Sequence, residues 1–481
     1  MTANEFVAIA PLLVMALGAT LVMLQIAFLR SVRLTGIVAI VSLLLASASC
    51  YYAMTVTPLQ VGALLHADAY GLLFCTLFTL AGAVTCGLSL DYIQHHGDEP
   101  EEYFLLLILA TLGACILAYA VHLASLLLGL ELLSVSLYAL IAYPNRSALP
   151  LEAATKYLVL SGAASATLLF GFALLYAATG TLSFSELGVE LGRSDMGTAL
   201  LMAGGAMILT GLAFKLSVVP FHLWTPDVYD GAPAPVSGFL ASVGKAAVFV
   251  VLLRLFLDAD LFRYEMLVKL TGLMAILSML AGNLLALLQT NVKRMLAYSS
   301  IAHVGYLLIV LMICLDLGNR GIALEAAVFY LIAYTATTLA AFGLLTLINE
   351  SQVEREQVQL QHVSGLFWRQ PLLAGLMLVA MLSLAGIPLT AGFIGKFYLF
   401  SAAASGGNWA LLAALIAGSA IGIYYYLRVV FYMTRGADEH RHTVDLAPNW
   451  SGKVLSCLLI ASILLLGIMP QSLMAYLGSI L

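Results

Sequence analysis

The chain is a succession of long apolar stretches separated by short polar connectors. Fourteen stretches approach or exceed the ~20 apolar residues that span a bilayer's hydrocarbon core. They cover roughly residues 5–29, 35–56, 69–90, 102–120, 122–143, 151–178, 199–230, 236–257, 265–289, 296–315, 323–348, 371–403, 408–432 and 453–473. In lipid a segment must satisfy its own backbone groups, which a helix does. The expected fold is therefore all-α and polytopic, with about 14 transmembrane helices.

Two stretches, 199–230 and 371–403, are too long for one straight crossing, and each holds a proline near its middle, Pro220 and Pro388. Proline removes one backbone donor and clashes with the preceding turn. The seventh and twelfth spans are thus expected to be broken helices. At membrane depth a break survives where protein or water satisfies the freed groups, an arrangement typical of ion and solute pathways.

Composition agrees: 62% of residues are hydrophobic and 9% are charged. A soluble protein could not hide this much apolar surface. The net charge of −5 adds little, and the absence of a basic tract argues against nucleic acid as a partner. Cys50, Cys75, Cys86, Cys115, Cys314 and Cys457 are scattered through apolar stretches without a CxxC or Cys/His grouping. They read as small buried hydrophobes, and neither an iron–sulfur cluster nor a zinc site is expected. GxGxxG, P-loop and nucleophile-elbow patterns are missing too. The first stretch is long and has almost no basic segment before it, as in a retained helix rather than a cleaved signal.

Lys and Arg set the orientation of a polytopic chain. Eleven fall on one side: Arg30, Arg33, Arg146, Lys293, Arg294, Arg355, Arg369, Arg428, Arg435, Arg441 and Lys453. Five fall on the other: Arg193, Arg254, Arg263, Lys269 and Arg320. The richer side is expected to be cytoplasmic, with both termini facing outward.

An internal repeat is also expected. LEAATKYL at 151–158 resembles LEAAVFYL at 324–331, Phe170-Gly171 matches Phe342-Gly343, and Leu253-Arg254 matches Leu427-Arg428. These offsets of 172–174 residues divide the chain into a three-helix segment (1–100), a five-helix unit (101–258), a second five-helix unit (259–433) and a final loop and helix (434–481). Five is odd, so the second unit would be inverted, the plan of many transporters. The same offset sets Glu131 opposite His303 or its neighbour.

Four lysines lie inside apolar stretches: Lys156, Lys215, Lys245 and Lys396. A charge at the bilayer centre costs roughly 2.5–3.5 kcal/mol on insertion scales. Glu131 lies mid-span and needs a partner or a proton. Paired with Lys215 it is either a proton site or a static ion pair fixing helix packing. One carboxylate cannot neutralise several lysines, so some must be neutral part of the time or solvated internally. Burial moves a lysine toward proton exchange near neutral pH. His222, close after Pro220, and His303 are each either relays or hydrogen-bonded packing residues. Lys156 either snorkels to the interface or serves as an entry point. His122 sits at the membrane edge, while His95, His96, His440 and His442 read as solvated loop residues. Tyr424, Tyr425 and Tyr426 read as packing and interfacial anchors.

The stretch GLAFKLSVVPFHLWTPDVYDGAPAPVSGFLASVGKAA at 211–247 closely resembles the antiporter-like subunits of respiratory complex I, themselves similar to Mrp-type cation/proton antiporter subunits. NVKRMLAYSSIAHVGY at 291–306 and GIPLTAGFIGKF at 386–397 resemble the same family's other signatures. The WTPDVYDGAP wording is similar to the N-type subunits rather than the L and M types, and the resemblance runs along essentially the whole chain. It implies a proton-pumping membrane-arm subunit of a bacterial NADH:quinone oxidoreductase in the inner membrane. Glu131, Lys215, Lys245 and Lys396 would be its proton-path residues. Its partners would be other antiporter-like subunits and the small K-type subunit. NADH, flavin, iron–sulfur clusters and quinone would belong to other chains, with no cofactor in this one. A redox-independent cation/proton antiporter and a purely structural membrane subunit are the competing readings.

Overall fold

The computed structural model describes residues 2–96, 100–143, 148–193, 198–315, 318–349, 358–436 and 450–480. A short helix α1 (Ala3–Ala8), closed by a Thr2/Glu5 capping box, leads into α2 (Ala10–Phe28) and α3 (Val32–Ala53). A hairpin of β1 (Leu59–Val61) against β2 (Leu65–Ala67) precedes α4 (Ala69–His96). Next come α5 (Glu102–Tyr119), α6 (Leu123–Ile141), α7 (Ala148–Thr179), α8 (Phe184–Arg193), α9 (Thr198–Leu216), α10 (Trp224–Gly231), α11 (Ala234–Phe239) and α12 (Lys245–Asp258). The later part contains α13 (Glu265–Leu287), α14 (Val292–Ile313), α15 (Arg320–Asn349), α16 (Leu366–Arg369), α17 (Pro371–Ala385), α18 (Ala391–Ser405) and α19 (Trp409–Thr434). Helices α20 (Trp450–Ile468) and α21 (Pro470–Ile480) end the description.

The all-α polytopic fold read from the sequence is the fold found. Among the described residues, 13 helical segments are long and apolar enough to cross a membrane, with Ala234–Asp258 counted as one. Every expected span contains such a segment except 371–403, which is divided into α17 and α18. Helix α4 continues through His95 and His96, so these two are helical rather than in a loop. His440 and His442 lie outside the described residues.

Both proline-bearing spans are interrupted. Helix α9 stops at Leu216, Ser217 turns to φ 61°, and helix resumes only at Trp224. Protein groups take up the freed backbone there: Val219 N–H donates to Ser278 Oγ at 3.0 Å, and Trp224 Nε1 donates to Phe214 O at 3.1 Å. Helix α17 ends where Gly386 adopts φ 82°. Gly386 and Ile387 then donate to Leu382 O, closing the last turn in the manner open to a left-handed glycine. A third irregularity is legible in neither pattern nor proline. Leu240–Gly244 forms a π-helical turn directly before Lys245, a feature frequent at functional sites.

The helix pairs α5/α6 and α13/α14 are built alike. A Cβ on Gly113 would stand 2.6 Å from Leu133 N and 2.9 Å from Gly129 O, and one on Gly282 would stand 2.7 Å from Ala302 N and 2.9 Å from Tyr298 O. Glycine is required at both crossings because the opposing atoms are backbone. His122 caps α6 and bridges Ser183; Asn291 caps α14 and bridges Gln359. Arg254 donates to Ala118 O at the end of α5, at 3.0 Å, and Arg428 donates to Leu287 O at the end of α13, at 3.0 Å. The pairs Gly113/Gly282, His122/Asn291 and Ala118/Leu287 are each 169 residues apart. The repeated words in α7/α15 and α12/α19 keep the longer offset. This corrects one equivalence: Glu131 stands opposite Ser300, and His303 stands opposite Ser134.

Candidate proton-relay site

Helix α9 carries Lys215 in its last turn, where the break presents the side chain to α6 and α7. Its Nζ donates to Ser134 Oγ at 2.7 Å and to Ser161 Oγ at 2.6 Å. Ser161 Oγ also accepts from Tyr138 Oη at 2.7 Å. Glu131 acts electrostatically on Lys215 without a direct ion pair. Among the described residues nothing hydrogen-bonds to the buried Glu131 Oε1. The expected Glu131–Lys215 contact is therefore one of proximity, with serine hydroxyls as the lysine's direct partners.

Lys245 follows the π turn and is 2% exposed. Its Nζ donates to Ser300 Oγ at 2.7 Å and lies 5.7 Å above the Tyr229 ring. Ser300 shares one face of α14 with Ser299, His303 and Tyr306, as their three- and four-residue spacing dictates. His303 is buried, with Nδ1 at 2.5 Å from Tyr330 Oη and Nε2 at 3.1 Å from Tyr426 Oη. It lies within electrostatic reach of both Lys245 and Lys396. Lys396 reaches from α18 back across the second break. Its Nζ donates to Leu384 O at 2.9 Å and Ala385 O at 3.0 Å, and it lies 5.4 Å above the Tyr306 ring. The freed carbonyls at this break are thus met by the lysine itself. His222 is buried inside the first break, and its Nδ1 has no partner among the described residues.

Lys156 is set apart from these. It is half exposed and bonded to two carboxylates, Glu152 Oε1 at 2.7 Å and Asp227 Oδ2 at 2.9 Å. Arg294 Nη1 holds the other oxygen of Asp227 at 2.8 Å. Next to it Lys293 is 2% exposed and donates to Asp230 O at 2.6 Å and Ala232 O at 2.7 Å, closing the end of α10. Arg254 is also buried, paired with both oxygens of Asp68 at 2.9 and 2.8 Å. Lys293 and Arg254, counted above among the orienting charges, are thus buried structural groups. Burial pushes the Asp68 carboxyl up, but the hydrogen bonds and charge of Arg254 outweigh it and hold the group below its ordinary value.

Sequence reasoning missed the lysines' partners Ser134, Ser161 and Ser300, since a serine in an apolar helix usually satisfies itself on its own backbone. It also overlooked the hydroxyls of two tyrosines. Tyr424 is exposed as an anchor would be, but Tyr425 and Tyr426 are buried, with their hydroxyls in the polar interior. Asp227 was present in the quoted motif without an assigned part. The arrangement places a series of lysines, hydroxyls and an imidazole in a buried interior, each group able both to hold and to pass a proton.

Residues 120–422 match the model of a family described as NADH:quinone oxidoreductase/Mrp antiporter, transmembrane. The chain is 47% identical over 473 residues to NADH-quinone oxidoreductase subunit N of Methylococcus capsulatus, covering 98% of this chain and 94% of that relative. Among solved structures it resembles a chain of respiratory complex I from Thermus thermophilus, with TM-score 0.81, 33% identity, and 97% and 99% of the two chains covered. A chain of the Mrp complex from Dietzia sp. shares the fold with TM-score 0.84 at 20% identity, over 100% and 97% of the two chains. The chain is a multi-pass membrane protein, and it belongs to the NADH:quinone oxidoreductase/Mrp antiporter transmembrane family. Within that family its end-to-end likeness is to the N subunit of NADH-quinone oxidoreductase.

Proposed function

We propose that the chain is the proton-translocating N-type subunit in the membrane arm of an NADH:quinone oxidoreductase, driven by redox chemistry in other subunits. The observation that carries this reading is the state of the three interior lysines. Lys215, Lys245 and Lys396 are 7%, 2% and 8% exposed, and their direct hydrogen-bond partners are neutral hydroxyls or carbonyls. A lysine tied to a carboxylate is held charged; one tied to hydroxyls can release its proton. Glu131 supplies a carboxylate near Lys215, and His303 relays between Lys245 and Lys396. His222 serves the first break, and Lys156 with Asp227 forms the entry.

The two five-helix units, 101–258 and 259–433, would each provide one half-channel, with the second inverted. Partners would be other antiporter-like subunits and the small K-type subunit. NADH, flavin, iron–sulfur clusters and quinone would reside in other chains. The assembly would sit in a bacterial inner membrane with both termini outward.

The test is proton uptake into vesicles carrying the assembled complex during NADH oxidation. Lys215→Ala should leave assembly intact and depress uptake. Normal uptake by that variant would remove the relay, and uptake that required sodium rather than quinone reduction would favour the antiporter reading.

A further inference from the structure

One buried polar side chain of the second unit has no place in the relay as described. Asn283 on α13 is 1% exposed and fully bonded. Its Nδ2 donates to Met279 O at 2.6 Å and to Tyr306 Oη at 2.9 Å, and its Oδ1 accepts from Tyr425 Oη at 3.0 Å. Helix α19 leaves room for this amide. A Cβ on Gly418 would lie 2.8 Å from Asn283 Nδ2 and 3.0 Å from Tyr306 Oη, so the cradle admits glycine and nothing larger without a shift. Both tyrosines lead to the relay. The Tyr306 ring lies beneath Lys396 Nζ and edge-on to His303, with centroids 5.6 Å apart. The Tyr425 ring packs against Tyr426 at 4.4 Å, and Tyr426 Oη contacts His303 Nε2 and Ser299 Oγ.

We propose that Asn283 is a positioning residue for proton transfer, holding Tyr306 under Lys396 and, through Tyr425, Tyr426 beside His303. This rests on the relay reading above. An amide suits the task because it donates and accepts at once and does not titrate, so the tyrosines keep their places while the protons beside them move. Helix packing alone does not call for it: α13 and α14 already meet backbone to backbone at Gly282, and α19 is tied to α13 through Arg428. A leucine of similar volume would fill the space and leave Tyr306 and Tyr425 free to turn.

The test uses vesicles carrying the whole complex and compares proton uptake per NADH oxidised. Asn283→Leu is expected to assemble, to oxidise NADH, and to lower that ratio at least about threefold. Tyr306→Phe should lower it by a similar factor. Residues acting as one unit are non-additive, so the double variant should be no worse than either single one. Asn283→Gln, which keeps both donor and acceptor, should recover part of the loss. Normal uptake by Asn283→Leu, or losses that multiply in the double variant, would overturn the proposal. If Asn283→Leu does not assemble, Gly418→Ala presses on the amide from α19 without removing it, and normal uptake there overturns the proposal equally. Lys396→Ala separates the two levels: if it pumps normally the relay reading fails, whereas loss in Lys396→Ala with normal Asn283→Leu condemns the positioning role alone.

Discussion

The helix pairs α5/α6 and α13/α14 use one scaffold beside two different sites. Each crosses its two helices at a glycine, caps the second with a residue whose backbone also bridges a distant loop, and ties the end of the first with an arginine. The interiors differ. Around Lys215 the partners are two serines and a nearby carboxylate; around Lys396 they are two carbonyls, an aromatic ring and, beyond it, an imidazole. Ser300 on α14 occupies the place that Glu131 holds on α6, and there it receives Lys245. The helices that follow are also covered differently: most residues of α15 are buried, whereas most of α7 are not. Scaffold positions are set by backbone geometry, which tolerates little change, while interior side chains are free to diverge so long as their polar atoms find partners.

The largest effect should come from removing the lysine of one unit. Lys215→Ala is expected to lower proton uptake by about tenfold or more, since a positioned proton-transfer group typically contributes about 10²–10⁴-fold. If uptake survived, the first unit would be scaffold only and the comparison would collapse. Lys245→Arg is expected to be nearly as severe. Arginine keeps the charge and cannot release the proton, so assembled complex with poor uptake separates proton release from mere charge. Normal uptake would show that Lys245 is not a carrier.

A smaller effect should distinguish the two tying arginines. Arg254→Ala leaves the partly buried Asp68 without its ion partner and should destabilise by up to about 3 kcal/mol, the low end for breaking a buried pair. Arg428→Ala loses hydrogen bonds to carbonyls and should cost about 1–3 kcal/mol. Thermal unfolding of the detergent-solubilised complex measures both, and equal losses would mean that the ion pair adds nothing. Asp68 sharpens this by pH. Its folded value lies below the ordinary 3.8, so its contribution is present above 3.8 and fades as pH falls through the folded value. The stability advantage of the native protein over Asp68→Asn should therefore shrink only below pH 3.8, and an advantage unchanged with pH would contradict the pairing. Smallest of all, Lys156→Gln touches a half-exposed ion pair and should alter stability by less than ~1 kcal/mol. A large drop in uptake with so small a structural change would identify Lys156 as the entry.

Much of this was legible in the residues. Pro220 and Pro388 announced the breaks because proline cannot complete a helical turn, and the interior charges announced themselves by their cost in lipid. The repeated words pair α7 with α15 and α12 with α19. They misplaced Glu131 because the offset changes between the second and third helices of the unit, where no apolar match could register it. The partners of the lysines were not legible. Whether Ser161 bonds to its own helix or to Lys215 depends on a crossing between distant helices, and Lys396 meets carbonyls that have no side-chain signature at all. Arg254 and Lys293 read only as orienting charges because a sequence does not show that a helix end has folded over them.

The carbonyls that receive Lys396 have one more property. The exposed end of a helix carries about half a negative charge, spread over its last peptide groups. Lys396 therefore faces a counter-ion made of backbone, which can neither accept a proton nor dissociate. The carboxylate near Lys215 can do both. One half of the molecule thus holds its lysine in an adjustable field and the other in a permanent one, as a variable capacitor is wired beside a fixed one. A charge shifted between them would be felt as a change on the Glu131 side against a constant reference at the α17 terminus.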